Sequence, residues 1–492
     1  MKRIYRFIFS RYFFSAVFIT AELVIISLWL TGIWENSVYT LILGYIINAL
    51  AVASLITKDT NPEYKIPWLL ILITLPLIGT LLYVLFYSRP MRKKEARLLE
   101  ELYSEINRDE AGLDHAFSSL KKESAKTAGK VLSILEDDAF ARLYRHSDCK
   151  YLKSGEEYYE KLIEAILGAE KFIFLEYFII GEGKMWTSIL EILKEKAHLG
   201  VEVRVIYDDI GSMKTLPSDY EKELARYKIS AVSFNKVSPS LSTTHNNRNH
   251  RKICIVDGKL AMTGGVNIAD EYINERVRFG HWKDGGIIIY GAAVEGLLVQ
   301  FLCDFCMAKA KKEELTPYLK TVKHLNLCDT GYYLPFASGP RPTYKNPVGK
   351  RAFLNIINQA EFYVYITTPY LVIDYELTEA LRAAASRGVD VRIITPGIPD
   401  KKLVKLMAKS AYPYLLDGGV RIYEYLPGFI HEKLILADGE ICVVGTINFD
   451  YRSLVHHFEN AVFIYGSGEI DKMKEEFLKT LSLSKEDRKS VV

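Results

Sequence analysis

Two sets of side chains in this chain are suited to phosphate chemistry. His250, Lys252 and Asp257 form H-x-K-x4-D within NHRKICIVDG. His431, Lys433 and Asp438 repeat it 181 positions later within IHEKLILADG. Side chains alternate along a strand, so the His and Lys of each copy share a face. Two histidines and two lysines brought to one point could divide the work of phosphoryl transfer. One imidazole attacks phosphorus, and the other protonates the leaving alkoxide and later deprotonates the incoming alcohol. The ammonium groups neutralise the non-bridging oxygens.

The repetition extends beyond the motif. Gly264 and Asn267 follow the first His by 14 and 17 residues, and Gly445 and Asn448 follow the second at the same spacing. A single H-x-K-x4-D arises by chance in about one chain of this length in thirty, so two copies with matching trailers mean duplication. Asn267 and Asn448 are candidate phosphate donors, with ordinary turn residues as the alternative. Each reacting imidazole needs a partner on its other nitrogen to fix the tautomer. Asp284 in HWKDGG is the nearby candidate for His250, and Glu459 in HFENAV for His431. Asp257 and Asp438 belong to the candidate catalytic sets, but each precedes a glycine, where an Asp more often pairs locally in a turn.

Other polar residues near the motifs have plainer readings beside functional ones. His245, Arg248 and Arg251 either meet a charged headgroup or form a solvated basic face. His456 and His457 read as surface or packing residues. Glu176-Tyr177 and Thr368-Pro369-Tyr370 end matching strands and either line the mouth of the site or are packed. Gly264, Gly265 and Gly445 read as positions that need backbone freedom.

The elements that must position these residues alternate helix and strand from about residue 131. An amphipathic helix (YYEKLIEAILGAE), a strand (KFIFLEYFII), a helix and a strand (VEVRVIYDD) precede the first motif, and KRAFLNIINQA, EFYVYITTPYLV and VDVRIITPG replay them before the second. The match of Gly200-Val201-Glu202-Val203-Arg204 with Gly388-Val389-Asp390-Val391-Arg392 supports the duplication independently. The expected fold is α/β: two α/β/α lobes, at 131–315 and 346–485, related by a pseudo-twofold axis and joined by a proline-rich connector at 316–345. A charged helical arm (91–130) precedes them.

Hydrophobic residues make up 49% of the 492, and the excess lies at the front. Runs at 11–33, 37–56 and 66–87 are each about long enough to cross a hydrocarbon core of ~30 Å, so residues 1–90 are expected to form a membrane region of transmembrane helices. Glu22 makes the first run the least suited to face lipid. Basic residues before the first run and after the third both favour the cytoplasmic side, which three spans would forbid. Runs two and three are therefore expected to form a hairpin, the first to be interfacial, re-entrant or a doubtful span, and the catalytic part to be cytoplasmic. A net charge of +3 gives no nucleic-acid footprint. The six cysteines, Cys149, Cys254, Cys303, Cys306, Cys328 and Cys442, lack the spacing of a zinc site and read as packed thiols.

The chain resembles the bacterial cardiolipin synthases of the phospholipase D superfamily. The resemblance rests on WLLILITLPLIGTLLYVLFYSRP, NHRKICIVDGKLAMTGGVNIADEY, HWKDGGIIIYG, TPYLV, GFIHEKLILADGEICVVGTINFDYRS and FENAV. It implies a multi-pass protein of the bacterial cell membrane working on phosphatidylglycerol among anionic lipids, with no cofactor or metal. It also implies phosphatidyl transfer through a histidine adduct, with His250 as nucleophile and His431 as acid and base. A hydrolase using water at the same residues is the alternative. A nuclease suits the motif but not the hydrophobic runs, and a non-catalytic scaffold does not suit two intact motifs.

Overall fold

The computed structural model describes residues 37–58, 62–87, 93–106, 113–137, 141–236, 247–322, 331–341, 344 and 346–488, with Thr20, Val24 and Ser27. The chain divides into two compact units, one containing residues 1–89 and the other holding nearly all the rest.

In the first unit, α1 (Ser37–Thr57), α2 (Pro62–Thr74) and α3 (Pro76–Phe86) pack together around Leu55, Leu72, Tyr83 and Tyr87. The run at 66–87 was expected to be one helix, but it is interrupted at Leu75. The cause is Pro76, which has no N–H to offer the carbonyl of Leu72. Asn48 of α1 supplies what the proline lacks. Its Nδ2 lies 3.1 Å from Leu72 O, 3.0 Å from Pro76 O and 2.9 Å from Thr80 Oγ1. Among the described residues no helix is long and apolar enough to cross a membrane. The run at 11–33 lies outside the described residues, apart from three isolated positions.

The second unit begins with α4 (Lys93–Ile106), α5 (Leu113–Glu123) and α6 (Ala125–Asp137). These helices are not a free arm. Leu99 and Leu102 of α4 enter one core, whereas Leu120, Val131 and Ile134 enter another with Phe353 and Ile357. Their charged residues occur at helical spacing around an apolar stripe, and the stripe finds a partner.

The first lobe contains β1 (Ser147–Leu152), β2 (Phe172–Tyr177), β3 (Glu202–Asp208), β4 (Ser230–Phe234), β5 (Lys252–Val256), β6 (Leu260–Gly264), β7 (His281–Lys283) and β8 (Gly286–Gly291). The second contains β9 (Tyr332–Ser338), β10 (Tyr363–Thr367), β11 (Leu371–Val372), β12 (Asp390–Pro396), β13 (Arg421–Tyr425), β14 (Gly428–Ile430), β15 (Leu434–Ala437), β16 (Ile441–Gly445), β17 (Phe449–Asp450), β18 (Glu459–Tyr465) and β19 (Ser484–Glu486). The main sheets run β1-β8-β6-β5-β2-β3-β4 and β9-β18-β16-β15-β10-β12-β13-β19. Apart from β19 the order is the same, which is the duplication expressed as topology. β9 lies within the stretch expected to be connector, and it forms the edge of the second sheet.

Alternate residues of the motif strands face different cores. Ile253, Ile255, Leu434 and Leu436 share one apolar core between the lobes, whereas Cys254 and Val256 face the first lobe's own helices, α7 (Gly155–Leu167) and α8 (Lys184–His198). Cys149, Cys254, Cys303, Cys306 and Cys442 are all buried and outside any disulfide. Among the described residues three further pairings cross between the lobes: β14 runs parallel to β7, Asn249 bridges Phe458, and Tyr144 bridges Tyr333.

The motif aspartates are turn devices, which corrects their placement among the catalytic residues. Asp257 and Gly258 both have positive φ, as do Asp438 and Gly439, so each pair closes a tight hairpin. The Asp257 carboxylate accepts the backbone N–H groups of Glu170 (2.9 Å), Lys171 (2.7 Å) and Phe172 (2.9 Å). Asp438 accepts those of Glu361, Phe362 and Tyr363 at 2.9, 2.8 and 3.0 Å. Each lies at the far end of its strand from the motif histidine, roughly 20 Å of extended chain away. Burial raises the Asp257 pKa, but the N–H groups of Phe172, Glu170 and Lys171 outweigh it and hold the carboxyl below its usual range. Such a carboxylate stabilises the fold at neutral pH, and its contribution is lost as the pH falls through the lowered value. Asp257→Ala is expected to destabilise the protein by about 2–3 kcal/mol, read as a lower Tm at pH 7, and to narrow that difference in acid. An unchanged Tm would remove this role.

Candidate active site

The motif histidines sit just ahead of β5 and β15, where chain enters the sheet from the lobe interface. His250 donates its backbone N–H to Phe458 O at 2.8 Å, and His431 donates its own to Lys283 O at 2.7 Å. Each acceptor is the residue before an acid of the opposite lobe, so the imidazoles meet those acids. His250 Nδ1 lies 2.8 Å from Glu459 Oε2, and His431 Nδ1 lies 2.7 Å from Asp284 Oδ2. The expected partners are therefore exchanged. Asp284 serves His431 and Glu459 serves His250, because a carboxylate near in sequence is directed across the interface by the pseudo-twofold.

Both pairs are buried. Glu459 also accepts the hydroxyls of Thr446 and Ser453, each at 2.5 Å, which fixes both carboxylate oxygens. Asp284 Oδ1 accepts the N–H of Gly285 at 2.9 Å. Gly265 is needed here for close approach: a Cβ on it would stand 2.0 Å from Asp284 Oδ1 and 2.9 Å from His431 O.

The imidazoles are held neutral. Burial drives His250 down to about 3, against the upward pull of Glu459, and Lys252 adds to the lowering. His431 is lowered by burial, then by Lys433 and Lys252. Neutral rings with Nδ1–H directed at carboxylates present Nε2 as the free lone pair. The lysines are strained electrostatically as well. Burial and the neighbouring Lys433 charge bring Lys252 down to about 7, and burial brings Lys433 to about 8 against the pull of Asp284 and Glu459. Lys252 Nζ donates to His250 O at 2.6 Å, and Lys433 Nζ donates to His431 O and lies 2.8 Å from His431 Nδ1.

Asn267 is part of the scaffold. Its Oδ1 accepts Ile179 N–H at 3.0 Å and its Nδ2 donates to Tyr272 Oη at 2.7 Å. Asn448 differs. Its backbone N–H donates to Ser453 Oγ at 2.8 Å, but its side-chain Oδ1 is buried with no hydrogen-bond partner among the described residues. This unpaired carbonyl oxygen is an acceptor that a ligand hydroxyl or N–H can meet.

Sequence reasoning missed the bed beneath the first motif. Arg248 and Arg251 are not a solvated face: Arg248 meets Asp208 at 3.5 Å and Arg251 meets Asp304 at 2.8 Å, all four buried. Asn249 Nδ2 donates to Glu176 (2.5 Å) and Asp304 (3.2 Å), which locks the chain on either side of His250. Burial and the Asp304 charge hold the Glu176 carboxyl well above its usual value, and Glu176 is packed rather than lining the mouth. Tyr177 is likewise packed, on Tyr158 at 3.0 Å. His245 lies outside the described residues, as does Cys328.

His457 was also missed as a site residue. Its Nδ1 lies 3.5 Å from Glu459 Oε1, and its ring is 5.5 Å from that of His250. His250, His457 and Glu459 could together hold a metal ion, their ligand atoms lying within 4.8 Å of one another. A metal there would take the atoms that fix the His250 tautomer. Around His431 the surroundings are aromatic, with Tyr272, Trp282 and Phe429 at centroid distances of 5.4, 5.5 and 5.8 Å. His456 is packed on Tyr451.

A sequence-family profile described as "Cardiolipin synthase, PLD-like domain" matches residues 162–277 and 353–481, and one described as "Phospholipase_D-nuclease N-terminal" matches 46–86. A cardiolipin synthase of Alkalihalophilus pseudofirmus is 33% identical over 460 residues, covering 91% of this chain and 88% of the relative. An uncharacterized protein of Streptococcus mutans serotype c is 41% identical over 442 residues, covering 90% and 95%. Among solved structures, the phosphatidylserine synthase of Haemophilus influenzae Rd KW20 superposes with a TM-score of 0.53 at 15% identity, over 70% of this chain and 88% of that one. That last likeness is one of fold.

The crossed pairs can be separated by substitution. Glu459→Gln is expected to remove the downfield Nδ1 proton signal of His250 in ¹⁵N-histidine NMR and to lower kcat on a phosphodiester about 10²–10⁴-fold. Asp284→Asn should do the same to His431 and leave the His250 signal in place. The reverse assignment of signals would restore pairing within each lobe.

Proposed function

The chain belongs to the cardiolipin synthase family of phospholipase D-like proteins, and from that premise we propose that it converts two phosphatidylglycerol molecules into cardiolipin and glycerol. The observation that carries the mechanism is the pair of buried imidazole–carboxylate couples, each completed by the opposite lobe. His250 Nε2 attacks the phosphorus of one phosphatidylglycerol. The bond from phosphorus to the glycerol headgroup breaks, and the departing oxygen takes a proton from His431. Lys252 and Lys433 neutralise the non-bridging oxygens. In the second step a glycerol hydroxyl of another phosphatidylglycerol gives its proton to His431 and attacks phosphorus. The P–N bond breaks, cardiolipin leaves, and His250 is neutral again.

The division of labour follows from the surroundings. Glu459, fixed by Thr446 and Ser453, supports the positive charge that a phosphorylated imidazole carries. Lys433 and Lys252 disfavour a proton on His431 in the empty site, and the negative charge of the bound diester offsets them, so that His431 takes up a proton in the complex and gives it to the departing oxygen. Lys283, Asn267, Asp257 and Asp438 act through the scaffold.

Lipid contact is supported by the first unit, where Ile42, Leu43, Ile46, Leu50, Ile66, Leu70 and Ile73 are exposed. We place this helical unit in the bacterial cell membrane, with the catalytic lobes on the cytoplasmic side, where the basic run at 89–94 is favoured.

Two measurements test this reading. Purified protein with labelled phosphatidylglycerol vesicles is expected to yield cardiolipin and free glycerol, and to form a covalent adduct that His250→Ala abolishes. Phosphatidic acid as the main product would mark a hydrolase, and an adduct that survives His250→Ala but not His431→Ala would exchange the two roles. The pH dependence has a definite sign. The lysines bind the diester only as cations, so kcat/KM should fall as the pH rises through about 7 to 8, where Lys252 and Lys433 lose their protons. An alkaline limb beyond pH about 10, the ordinary lysine range, would mean that both are fully charged in the free enzyme.

A further inference from the structure

We propose that the rim of the second lobe beside His431 is a docking surface for an anionic lipid bilayer, separate from the N-terminal unit. The proposal rests on the reading of a lipid substrate and says how the catalytic lobes meet it. The rim's main element is the helix Lys402–Asp417. Its buried face, Ala408, Tyr412 and Leu415, is the expected apolar stripe. Its outward face is apolar too: Leu403 is 72% exposed, Leu406 65% and Met407 50%. A helix that packs one apolar face and leaves another in water has a second partner to cover.

The surrounding charge selects that partner. Lys401, Lys402 and Lys409 are exposed on and beside the helix, and Arg276 is exposed on the neighbouring loop, which carries Val277 at 78% exposure. The loop and the helix lead-in are contiguous: a Cβ on Gly280 would lie 3.1 Å from Ile398 Cδ1, and Ile398 N–H donates to Gly428 O at 3.1 Å. Apolar side chains ringed by lysine and arginine match an anionic bilayer, where the former enter the acyl boundary and the latter meet headgroup phosphates.

The rim is also continuous with the site. Between helix and motif lies a cleft lined by Tyr370, Asp400, Lys401, Val404, Tyr412 and Phe429. Tyr370 Oη donates to Asp400 at 2.7 Å and its ring lies 6.4 Å from Phe429, whose ring lies 5.8 Å from His431. A bilayer seated on Leu403, Leu406 and Met407 would therefore present headgroups two aromatic rings from the histidine that handles the alcohol proton.

The test uses the full-length protein in liposomes. Met407→Cys is labelled with an environment-sensitive fluorophore, and wild-type protein treated the same way sets the background. In bilayers containing phosphatidylglycerol, lipids with a quencher on the upper acyl chain are expected to quench the probe, and in purely zwitterionic bilayers to quench it less. An unquenched probe in the anionic bilayer overturns the proposal. In parallel, the variant carrying Leu403→Ser, Leu406→Ser and Met407→Ser should lose about tenfold in turnover of bilayer phosphatidylglycerol and keep its rate on a monomeric short-chain phosphatidylglycerol. Equal loss on both substrates, or on neither, also overturns it. If wild type turns over neither substrate, the functional reading fails while the quenching result still decides the docking.

Discussion

The structure depends on two buried hydrogen bonds that cross between lobes, His250 to Glu459 and His431 to Asp284. Neither lobe contains a complete couple. A lobe apart from its partner would hold an imidazole without its orienting carboxylate and a carboxylate without its imidazole, both in apolar surroundings where such groups are costly. The backbone bonds from His250 to Phe458 and from His431 to Lys283 set the register of those couples. The shared core of Ile253, Ile255, Leu434 and Leu436 supplies the apolar burial that holds the register in place. Docking of the lobes and assembly of the site are therefore one event, and the duplication is functional because it is closed on itself.

Within that frame the site stores positive charge at a cost. Two lysines face each other where burial already disfavours their charge, and both are pushed toward neutral pH values. A phosphodiester anion relieves both the desolvation and the mutual repulsion. Binding energy is thereby concentrated on the group where charge develops in the transition state. The first lobe secures its motif with Arg251, Asp304, Glu176 and Asn249. The second uses Glu432, which accepts the hydroxyl of Tyr151 at 2.5 Å. The two half-sites share geometry at the histidines and differ in what lies beneath them.

Much of this was legible in the chain. The repeated H-x-K-x4-D and its trailing Gly and Asn carried the duplication and the meeting of the motifs, since a period-two pattern fixes which side chains share a face. The order of the strands did not follow from them. The crossed carboxylates were not legible. Asp284 follows His250 by 34 positions, and only the pseudo-twofold reveals that it faces the other histidine. The burial of Arg248 and Arg251 was hidden for a similar reason, because Asp304 and Asp208 are remote in sequence. At 66–87 the length of the apolar run outweighed a signal that was present: Pro76 ends the helix before it, and Asn48 satisfies the carbonyl it leaves open.

The same histidines and lysines could hand the phosphatidyl group to water or to an alcohol, so, with His431 as the proposed base, the choice of acceptor must lie in what surrounds it. His431 is walled by Tyr272, Trp282 and Phe429, each nearly inaccessible to solvent. His250 has Phe178 at 5.0 Å and His457 at 5.5 Å instead. Water that reaches His431 forfeits hydrogen bonds to those ring faces. A lipid glycerol forfeits fewer, because it arrives from a headgroup layer with its hydroxyl carried on carbon. Discrimination of this kind needs no acceptor-specific contact at phosphorus. It requires that the proton acceptor be dry, and Tyr272, Trp282 and Phe429 keep it so.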